Sequence, residues 1–426
     1  MSSSSRRVVI TGIGIVNPIG LDAASFWDSL SRGQSGIRAV ETFDASGLPS
    51  RIAGEIRDFD AKNYIEKKDR KSLRLMARAI QLAVAAAQLA IDDSKVDKDK
   101  LDPTRFGVEF GAGLLPTELE ELGAASQASV NCQPGSVDLE QWGKQGLGCI
   151  PPLWMLKYLP NMLACHVSIF HNAQGPNNTI TEGDVAGLLA LGESYRIIKR
   201  DQADFFLVGG ADGRVNPLSM VRQCLFGHLS QRNESPESAV RPFDRGRDGW
   251  VISEGSGVLV LEEANHALAR GARIYAEIVG FGAAFDRDTS GRGLARAIRT
   301  ALKHAGIGPG DVDHVNAHGL SSIKSDAWES RALLEVFGSL PQPVPVFAPK
   351  SYFGNLSAGG SPTELAASLL GMEHGLVPAT LNYTEPDPAC PVNVIRSTQP
   401  MTKDYFIKIA FTEMGQCAVA VCKRWK

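Results

Sequence analysis

The chain has 426 residues, of which 43% are hydrophobic and 21% charged, which suits two or three globular domains or one large layered unit. Its formal net charge of −3 gives no bulk electrostatic attraction to nucleic acid. The seven cysteines form no CxxC pair. This excludes a recognisable zinc or disulfide framework and favours reduced thiols in a cytoplasmic protein. They are Cys132, Cys149, Cys165, Cys224, Cys390, Cys417 and Cys422.

The first residues, MSSSSRRVVITG, contain no apolar signal core and lead directly into a predicted strand. The longest apolar run, Ala79 to Ile91, is interrupted by glutamines. It is too short to cross a bilayer, which needs about 20 apolar residues. We therefore expect a buried helix there and no membrane span.

Ten short strands are predicted along the chain, separated by helical patterns such as DRKSLRLMARAIQLAVAAAQLAIDDS and GLARAIRTALKHAGI. Strands alternating with helices predict an α/β fold with covered sheets. In chain order the strands are RRVVITGIGIV, FGVEFGAG, NNTITEG, ADFFLVGGAD, GSGVLVLEE, IYAEIVGFG, DVDHVNAHG, VPVFAPKS, YFIKIAFTE and CAVAVCKRW.

The first five and the last five strands suggest two related halves. The stretch GDVAGLLALGESYRIIKRDQADFFLVGG is echoed by AGGSPTELAASLLGMEHGLVPATLN, since both run from a small-residue turn into a packed helix. This pattern alone leaves a duplication and a chance echo equally open. The duplication predicts halves at residues 1–265 and 266–426, joined near Glu262 to Gly271.

Four motifs in order resemble the β-ketoacyl-ACP synthases, the ketosynthases of fatty acid and polyketide assembly. They are VVITGIGIVNPIG, RPFDRGRDGWVISEGSGVLVLEE, NAHG and APKSYFGN. The resemblance covers nearly the whole chain. It implies the thiolase fold, with two βαβαβαββ halves in a five-layer αβαβα arrangement. It also implies a dimer, acyl groups carried on the phosphopantetheine of acyl carrier protein, and no other cofactor or metal.

The family's nucleophilic cysteine falls on Asp184, at a turn that leads into a helix starting near Val185. A thiolate holds and releases an acyl chain well, and a helix N-terminus favours it. We expect Asp184 to serve mainly as an N-terminal cap of that helix. The alternative is a general base or an acyl-anhydride nucleophile.

The resemblance also assigns the polar residues around this turn. His318 in NAHG matches the first family histidine, whereas the second histidine position holds Asn355. Asn355 can donate a hydrogen bond but cannot become cationic. Lys350 and Glu364 match a lysine–glutamate pair, which is as plausibly buried scaffold as catalytic machinery.

The family's glycine-rich gating loop, which also supplies an oxyanion N–H group, corresponds to AFTEMGQCA. Here Phe411 is followed by Thr412, Glu413 and Met414, which lack the backbone freedom of glycine. No other cysteine has the spacing to replace the nucleophile, and we expect Cys165 to be a buried structural thiol.

Changes in nucleophile, second histidine and gate resemble the chain-length factors of type II polyketide synthases, which lack the cysteine and pair with an active ketosynthase. Retained His318 and the aspartate at the turn depart from that pattern. Three interpretations remain: a non-condensing subunit of this kind, a divergent decarboxylase or hydrolase using Asp184, His318 and Asn355, and a homodimeric acyl- or acyl-carrier-binding protein.

The resemblance implies that NNTITEG pairs with its counterpart across a dimer axis, in a heterodimer with a cysteine-containing ketosynthase or in a homodimer. The preceding segment, Pro151 to Phe170, is rich in large apolar residues. It is either ordinary core or the wall of an acyl tunnel and dimer interface. The candidate wall residues are Trp154, Met155, Met162 and Phe170.

Overall fold

The computed structural model describes residues 6–130 and 135–426. All ten predicted strands are present, together with short additional ones. The strands are β1 (Val8–Val16), β2 (Arg38–Ala39), β3 (Ile52–Ala53), β4 (Phe106–Ala112), β5 (Asn177–Ile180), β6 (Phe205–Gly213), β7 (Glu254–Glu263), β8 (Ala276–Phe285), β9 (Val312–Asn316), β10 (Pro345–Phe347), β11 (Leu376–Val377), β12 (Asn393–Val394), β13 (Gln399–Pro400), β14 (Tyr405–Phe411) and β15 (Gln416–Arg424).

The α-helices lie between these strands, as the alternating pattern predicts. They are α1 (Ala23–Ser31), α2 (Arg78–Ser94), α3 (Leu119–Ala128), α4 (Leu139–Lys144), α5 (Met162–His171), α6 (Ala186–Lys199), α7 (Pro217–Phe226), α8 (Ala264–Ala269), α9 (Arg292–Ala305), α10 (Ile323–Phe337), α11 (Lys350–Phe353) and α12 (Gly360–His374).

Eleven of the described strands form one mixed sheet in the order β12-β10-β9-β14-β15-β8-β1-β7-β6-β4-β5. In the first half, β4 is parallel to both β5 and β6, and β7 is antiparallel to both β6 and β1. In the second half, β9 is parallel to both β10 and β14, and β15 is antiparallel to both β14 and β8. The same strand order and sense therefore occur twice, as in the expected thiolase fold.

The two halves meet at their first strands. Residues Val8, Val9 and Ile10 of β1 pair antiparallel with Ile278, Glu277 and Ala276 of β8. Strand β1 pairs along its other edge with β7. The beginning of the described chain thus lies near the middle of the sheet, and β5 lies at one open end of it.

Three apolar clusters define five layers. Successive side chains of a strand point to opposite faces of the sheet, and both faces are buried here. Phe206 and Val208 of β6 face the central cluster, while Phe205 and Leu207 face an outer one. Helices α6 and α12 fill the central cluster between the two halves of the sheet. Helices α2 and α5 cover one outer face, and α9 and α10 cover the other.

Candidate active site

The turn that carries Asp184 follows the edge strand β5. Gly183 has φ +55°, a backbone conformation that a side chain would strain. Residues Gly183–Val185 form a single 3₁₀ turn, and α6 begins at Ala186, close to the predicted start. Position 187 at the start of α6 also requires glycine, because Ala358 packs closely against it. A Cβ atom on Gly187 would lie 2.7 Å from the Ala358 carbonyl oxygen. These glycines allow the turn that carries Asp184 and the start of α6 to pack closely against Ala358.

The prediction that Asp184 caps the helix is wrong. No side chain caps α6, and the 3₁₀ turn before it is closed by the Ala186 N–H donating to the Gly183 carbonyl. Instead, Asp184 Oδ2 accepts a hydrogen bond from Asn355 Nδ2 at 3.2 Å. The orientation of the Asn355 amide is fixed because its Oδ1 accepts from the Ser357 backbone N–H at 2.9 Å. The carboxylate is therefore directed across the site and not back onto its own helix.

His318 lies beyond the end of β9, with its Nε2 3.9 Å from Asp184 Oδ2. Its Nδ1 is 3.2 Å from Lys350 Nζ, which also donates to the His318 carbonyl oxygen at 2.9 Å. An ammonium group offers only donors, so Nδ1 accepts and the ring proton resides on Nε2. Burial, followed by the positive charges of Lys350 and Lys408, holds the pKa of His318 well below 6.5. The ring is therefore a neutral hydrogen-bond donor on its Asp184 side.

The predicted pair of Lys350 and Glu364 is in contact, and it is one part of a larger buried cluster. Lys350 Nζ lies 2.7 Å from Glu364 Oε1, and Lys408 Nζ lies 2.5 Å from Glu364 Oε2. Burial alone would raise the pKa of Glu364, but the two ammonium groups hold it below its ordinary value. Burial lowers the pKa of Lys408 to about 8. The Glu364 carboxylate is thus the counter-charge of two buried lysines, which lie behind His318.

Glu329 holds the backbone of the His318 loop. Its two carboxylate oxygens accept from the N–H groups of His318 at 2.7 Å and Gly319 at 2.8 Å. Burial raises the pKa of Glu329 to about 7. Sequence reasoning missed both Glu329 and Lys408. Two signals for them were available in the sequence. Lys408 is a charged residue among the apolar positions of the strand YFIKIAF, and Glu329 is an acidic residue in the helix that follows NAHG.

The gate residues lie beside this cluster. The Phe411 ring stands 4.3 Å from the His318 ring and 4.4 Å from the Trp328 ring, measured between centroids. The loop beyond it is a tight hairpin, in which the Thr412 N–H donates to the Gln416 carbonyl at 2.9 Å. The structure therefore connects Phe411 directly to His318 and ties the following residues into the β14–β15 turn.

The other two gate residues point away from the imidazole. Glu413 Oε1 accepts from Ser325 Oγ at 3.1 Å, and Met414 is 80% exposed. Glu413 also lines a cleft of about 540 Å³, with Trp328 and Arg331 among the other lining residues. This cleft lies on the outer side of the Trp328–Phe411 contact.

The four candidate tunnel residues are not grouped around Asp184. Met162 and Phe170 pack against the outer cluster of α2, α5 and β4, whereas Val185, next to Asp184, belongs to the central cluster. Trp154 contacts the Tyr158 ring, with 5.1 Å between centroids, and the Met155 side chain is exposed. Their packing in this chain fits ordinary core and surface, and a role in a tunnel shared with a partner stays a prediction.

None of the cysteines in residues 6–130 and 135–426 stands at the turn. Burial raises the pKa of Cys390 to about 11 and that of Cys417 and Cys422 to about 12, which makes them poor nucleophiles. Cys165 is partly buried on α5. Cys132 lies outside the described residues.

No group of three or more His, Cys, Asp or Glu side chains in the described part of the chain could hold a metal ion. Within the same residues, no helix is both long and apolar enough to cross a membrane. His318 and Asn355 present two neutral N–H donors at the Asp184 side of the site. The site provides a carboxylate, and no thiolate, next to them.

Comparisons with known proteins agree with this architecture. The family model for the beta-ketoacyl synthase N-terminal domain matches residues 5–267, and the one for the C-terminal domain matches residues 275–384. The chain is similar to 3-oxoacyl-(acyl-carrier-protein) synthase 2 of Synechocystis, with 35% identity over 399 residues, covering 92% of this chain and 91% of the relative.

Two solved structures are similar over almost the full length. One is the ishigamide ketosynthase/chain length factor, with TM-score 0.86, 30% identity, and coverage of 99% of this chain and 100% of that one. The other is a ketosynthase in complex with a type II polyketide synthase acyl-carrier protein, with TM-score 0.85, 29% identity and the same coverage. The repeated sheet, the NAHG histidine loop and these matches together show that the chain belongs to the beta-ketoacyl synthase family.

Proposed function

We propose that this protein is a non-condensing, chain-length-factor-like subunit that acts with an active β-ketoacyl-ACP synthase in fatty acid or type II polyketide assembly. The observation that carries the proposal is the Asp184 carboxylate, which stands at the nucleophile turn and is bound by Asn355. The family chemistry requires a thiol at that turn to hold the growing acyl chain.

A carboxylate cannot take over that task. An acyl-aspartate would be a mixed anhydride, which hydrolyses far faster than a thioester. Asp184 also places a negative charge 3.9 Å from His318 Nε2, where a thioester oxygen would develop negative charge. Two negative charges held this close in a partly buried site repel each other. This repulsion opposes the transition state that the family stabilises.

The open edge of the sheet supports a dimer. Strand β5 has a partner on one side only, β4, and its Asn177 and Asn178 side chains are exposed. An unpaired edge of this kind is a template for another strand. The side chains of Leu139, Met155 and Ile169 are exposed as well. We propose a heterodimer with a cysteine-containing ketosynthase, the homodimer being the alternative, with Trp154, Met155, Met162 and Phe170 shaping the shared tunnel.

The substrates proposed for the pair are acyl groups on the phosphopantetheine of acyl carrier protein, with no other cofactor. The names of the relatives support this, because one is a 3-oxoacyl-(acyl-carrier-protein) synthase and another is a ketosynthase in complex with its acyl-carrier protein. We propose a cytoplasmic location, where such carriers act.

A second candidate function is a divergent acyl-thioester enzyme, either a decarboxylase or a hydrolase. The observation in its favour is that His318 and Asn355 both present N–H donors at the Asp184 side of the site. A homodimeric acyl- or acyl-carrier-binding protein is the third candidate.

Co-expression with a cysteine-containing homologue from the same genome, followed by native mass spectrometry, tests the proposal. We expect a heterodimer whose ketosynthase makes longer or differently distributed products than it does alone. The purified protein by itself should neither condense malonyl-ACP with an acyl primer nor show an acyl adduct by intact mass spectrometry. An adduct on this chain alone, or a homodimer that excludes every candidate ketosynthase, would reject the proposal.

A further inference from the structure

The two N–H donors of the site converge on a single oxygen atom that belongs to the protein itself. Asn355 Nδ2 is hydrogen-bonded to Asp184 Oδ2 at 3.2 Å, and His318 Nε2 lies 3.9 Å from the same oxygen. Both donor groups are held from behind. The Asn355 amide is fixed by the Ser357 N–H, and the His318 ring is fixed by Lys350 Nζ.

From this geometry we infer that Asp184 acts as an internal plug: its carboxylate oxygen is hydrogen-bonded to Asn355 and lies 3.9 Å from His318 Nε2, so it fills the space in front of both donors. It thereby prevents the pair from binding a thioester carbonyl and decarboxylating a malonyl thioester. The inference rests on the proposed non-condensing function and adds to it.

The suppressed reaction needs no nucleophile, only the donors. In a malonyl thioester the bond between the central carbon and the carboxylate breaks and CO₂ leaves. The electron pair forms an enolate whose oxygen would accept from His318 Nε2–H and Asn355 Nδ2–H. The enolate carbon then takes a proton from water, which gives an acetyl thioester. Asp184 opposes each stage, since it fills the place of the enolate oxygen and repels the substrate carboxylate.

The surroundings of Asp184 allow the plug to be removed without unfolding the site. Its side chain is 19% exposed and its hydrogen bond to Asn355 is not part of the α6 cap. The buried lysine–glutamate cluster lies on the far side of His318. We therefore expect Asp184→Ala to fold. Asp184→Ser is the second variant if the alanine variant is poorly folded, because serine also removes the carboxylate and keeps a polar side chain at this partly exposed position.

The experiment measures the conversion of malonyl-pantetheine to acetyl-pantetheine by mass spectrometry, with the full chain and with its variants. Asp184→Ala should increase the rate at least tenfold over the wild type, as a single such donor is worth about 10²–10³ in rate. Asp184→Asn should give a smaller increase, because its carboxamide oxygen can still accept from Asn355. Asp22→Ala, at the N-cap of α1, is the matched control and should give none.

Two further measurements make the inference falsifiable. Adding Asn355→Ala to Asp184→Ala should abolish the increase. An acetyl-pantetheine analogue with CH₂ in place of the thioester sulfur should bind Asp184→Ala more tightly than the wild type in calorimetry. A folded Asp184→Ala with neither tighter binding nor a faster reaction overturns the inference. So does an equal increase in the asparagine variant, or an increase that survives Asn355→Ala. Failure of the proposed function would instead appear as condensation by the wild type or as the absence of any heterodimer.

Discussion

The Lys350 ammonium nitrogen lies 3.2 Å from Nδ1 of His318 and thereby assigns the ring proton to Nε2. The same nitrogen is 2.7 Å from Glu364. The lysine thus keeps the imidazole neutral and oriented from its Nδ1 side. The matched lysine–glutamate pair therefore contacts the site through His318, and whether it is scaffold or part of the catalytic machinery stays open.

Glu364 forms ion pairs with two lysines. Its substitution should therefore lower the free energy of unfolding more than the substitution of either lysine. Glu364→Gln leaves Lys350 and Lys408 buried without a counter-charge, and we expect it to lower the free energy of unfolding by about 3–5 kcal/mol. Lys350→Met leaves Glu364 paired with Lys408 and should cost less. Urea denaturation measures both. Glu335→Gln, in an exposed pair with Arg299, is the control and should cost at most about 1 kcal/mol. The reverse order for the two buried substitutions would contradict the shared-carboxylate arrangement.

Asp184→Cys should not restore condensation. The new thiol would face Asn355 in place of a second imidazole, and the hairpin after Phe411 would still hold Thr412 and Glu413 in place of a flexible gate. Residues that act as a unit are strongly non-additive, so repair of one member recovers little. Steady-state assays with an acyl primer and malonyl-ACP check this. Turnover typical of the family in the single variant would show that Asn355 and the hairpin are both tolerated, and that the loss of activity is due to Asp184 alone.

Stability should fall as the pH rises from about 4.5 to about 8 because of Glu109. This side chain is buried on β4, where burial raises its pKa from 4.5 to about 8. Below the unfolded value both states are protonated and the full stability is present. Between the two values only the folded state keeps the proton, so about 1.4 kcal/mol is lost per pH unit.

Glu109→Gln should reduce this slope, leaving the part due to Glu329, whose pKa is also raised, and should be more stable than the wild type above pH 8. Denaturation at several pH values measures both effects. The exposed Glu120→Gln should behave like the wild type. A wild-type stability that does not change across this range would show that Glu109 ionises normally.

The β5 edge gives a direct test of the proposed partner contact. Asn178→Lys places a charge on the exposed edge, a change that disfavours strand pairing, and should weaken association with a ketosynthase at least tenfold. Asn393 is exposed on β12, the strand at the opposite end of the sheet, so Asn393→Lys is the matched control. Native mass spectrometry at a series of concentrations measures both. Equal weakening, or none in either variant, would place the interface elsewhere.

The strand pattern was predictable because alternation and flanking glycines are local signals. All ten predicted strands are present, and the echo between the GDVAGLLALG and AGGSPTELAASLL stretches corresponds to α6 and α12, the two helices of the central layer. His318 and Asn355 were placed by motif resemblance, and their contact with Asp184 follows from the fold.

The polar contacts of Asp184 and Lys408 could not be predicted from short sequence patterns. Helix capping predicts that the Asp184 carboxylate accepts a hydrogen bond from the first turn of α6. The carboxylate instead accepts from Asn355, a donor that lies far away in the sequence. Lys408 was missed because its partner Glu364 lies on a helix that the strand pattern cannot place beside it. Such long-range polar contacts depend on the complete packing of the layers.

The central position of β1 has a consequence for synthesis on the ribosome. Val8–Val16 are translated well before residues 256–263 and 276–278, with which they pair. At about 5–20 residues per second, translation from Val8 to Glu263 takes roughly 10 to 50 s. Throughout that time VVITGIGIV, an apolar and uncharged segment, has no native strand beside it. Nascent chains of this protein should therefore depend on chaperones that bind extended apolar segments, and stalling before residue 263 should leave them prone to aggregation.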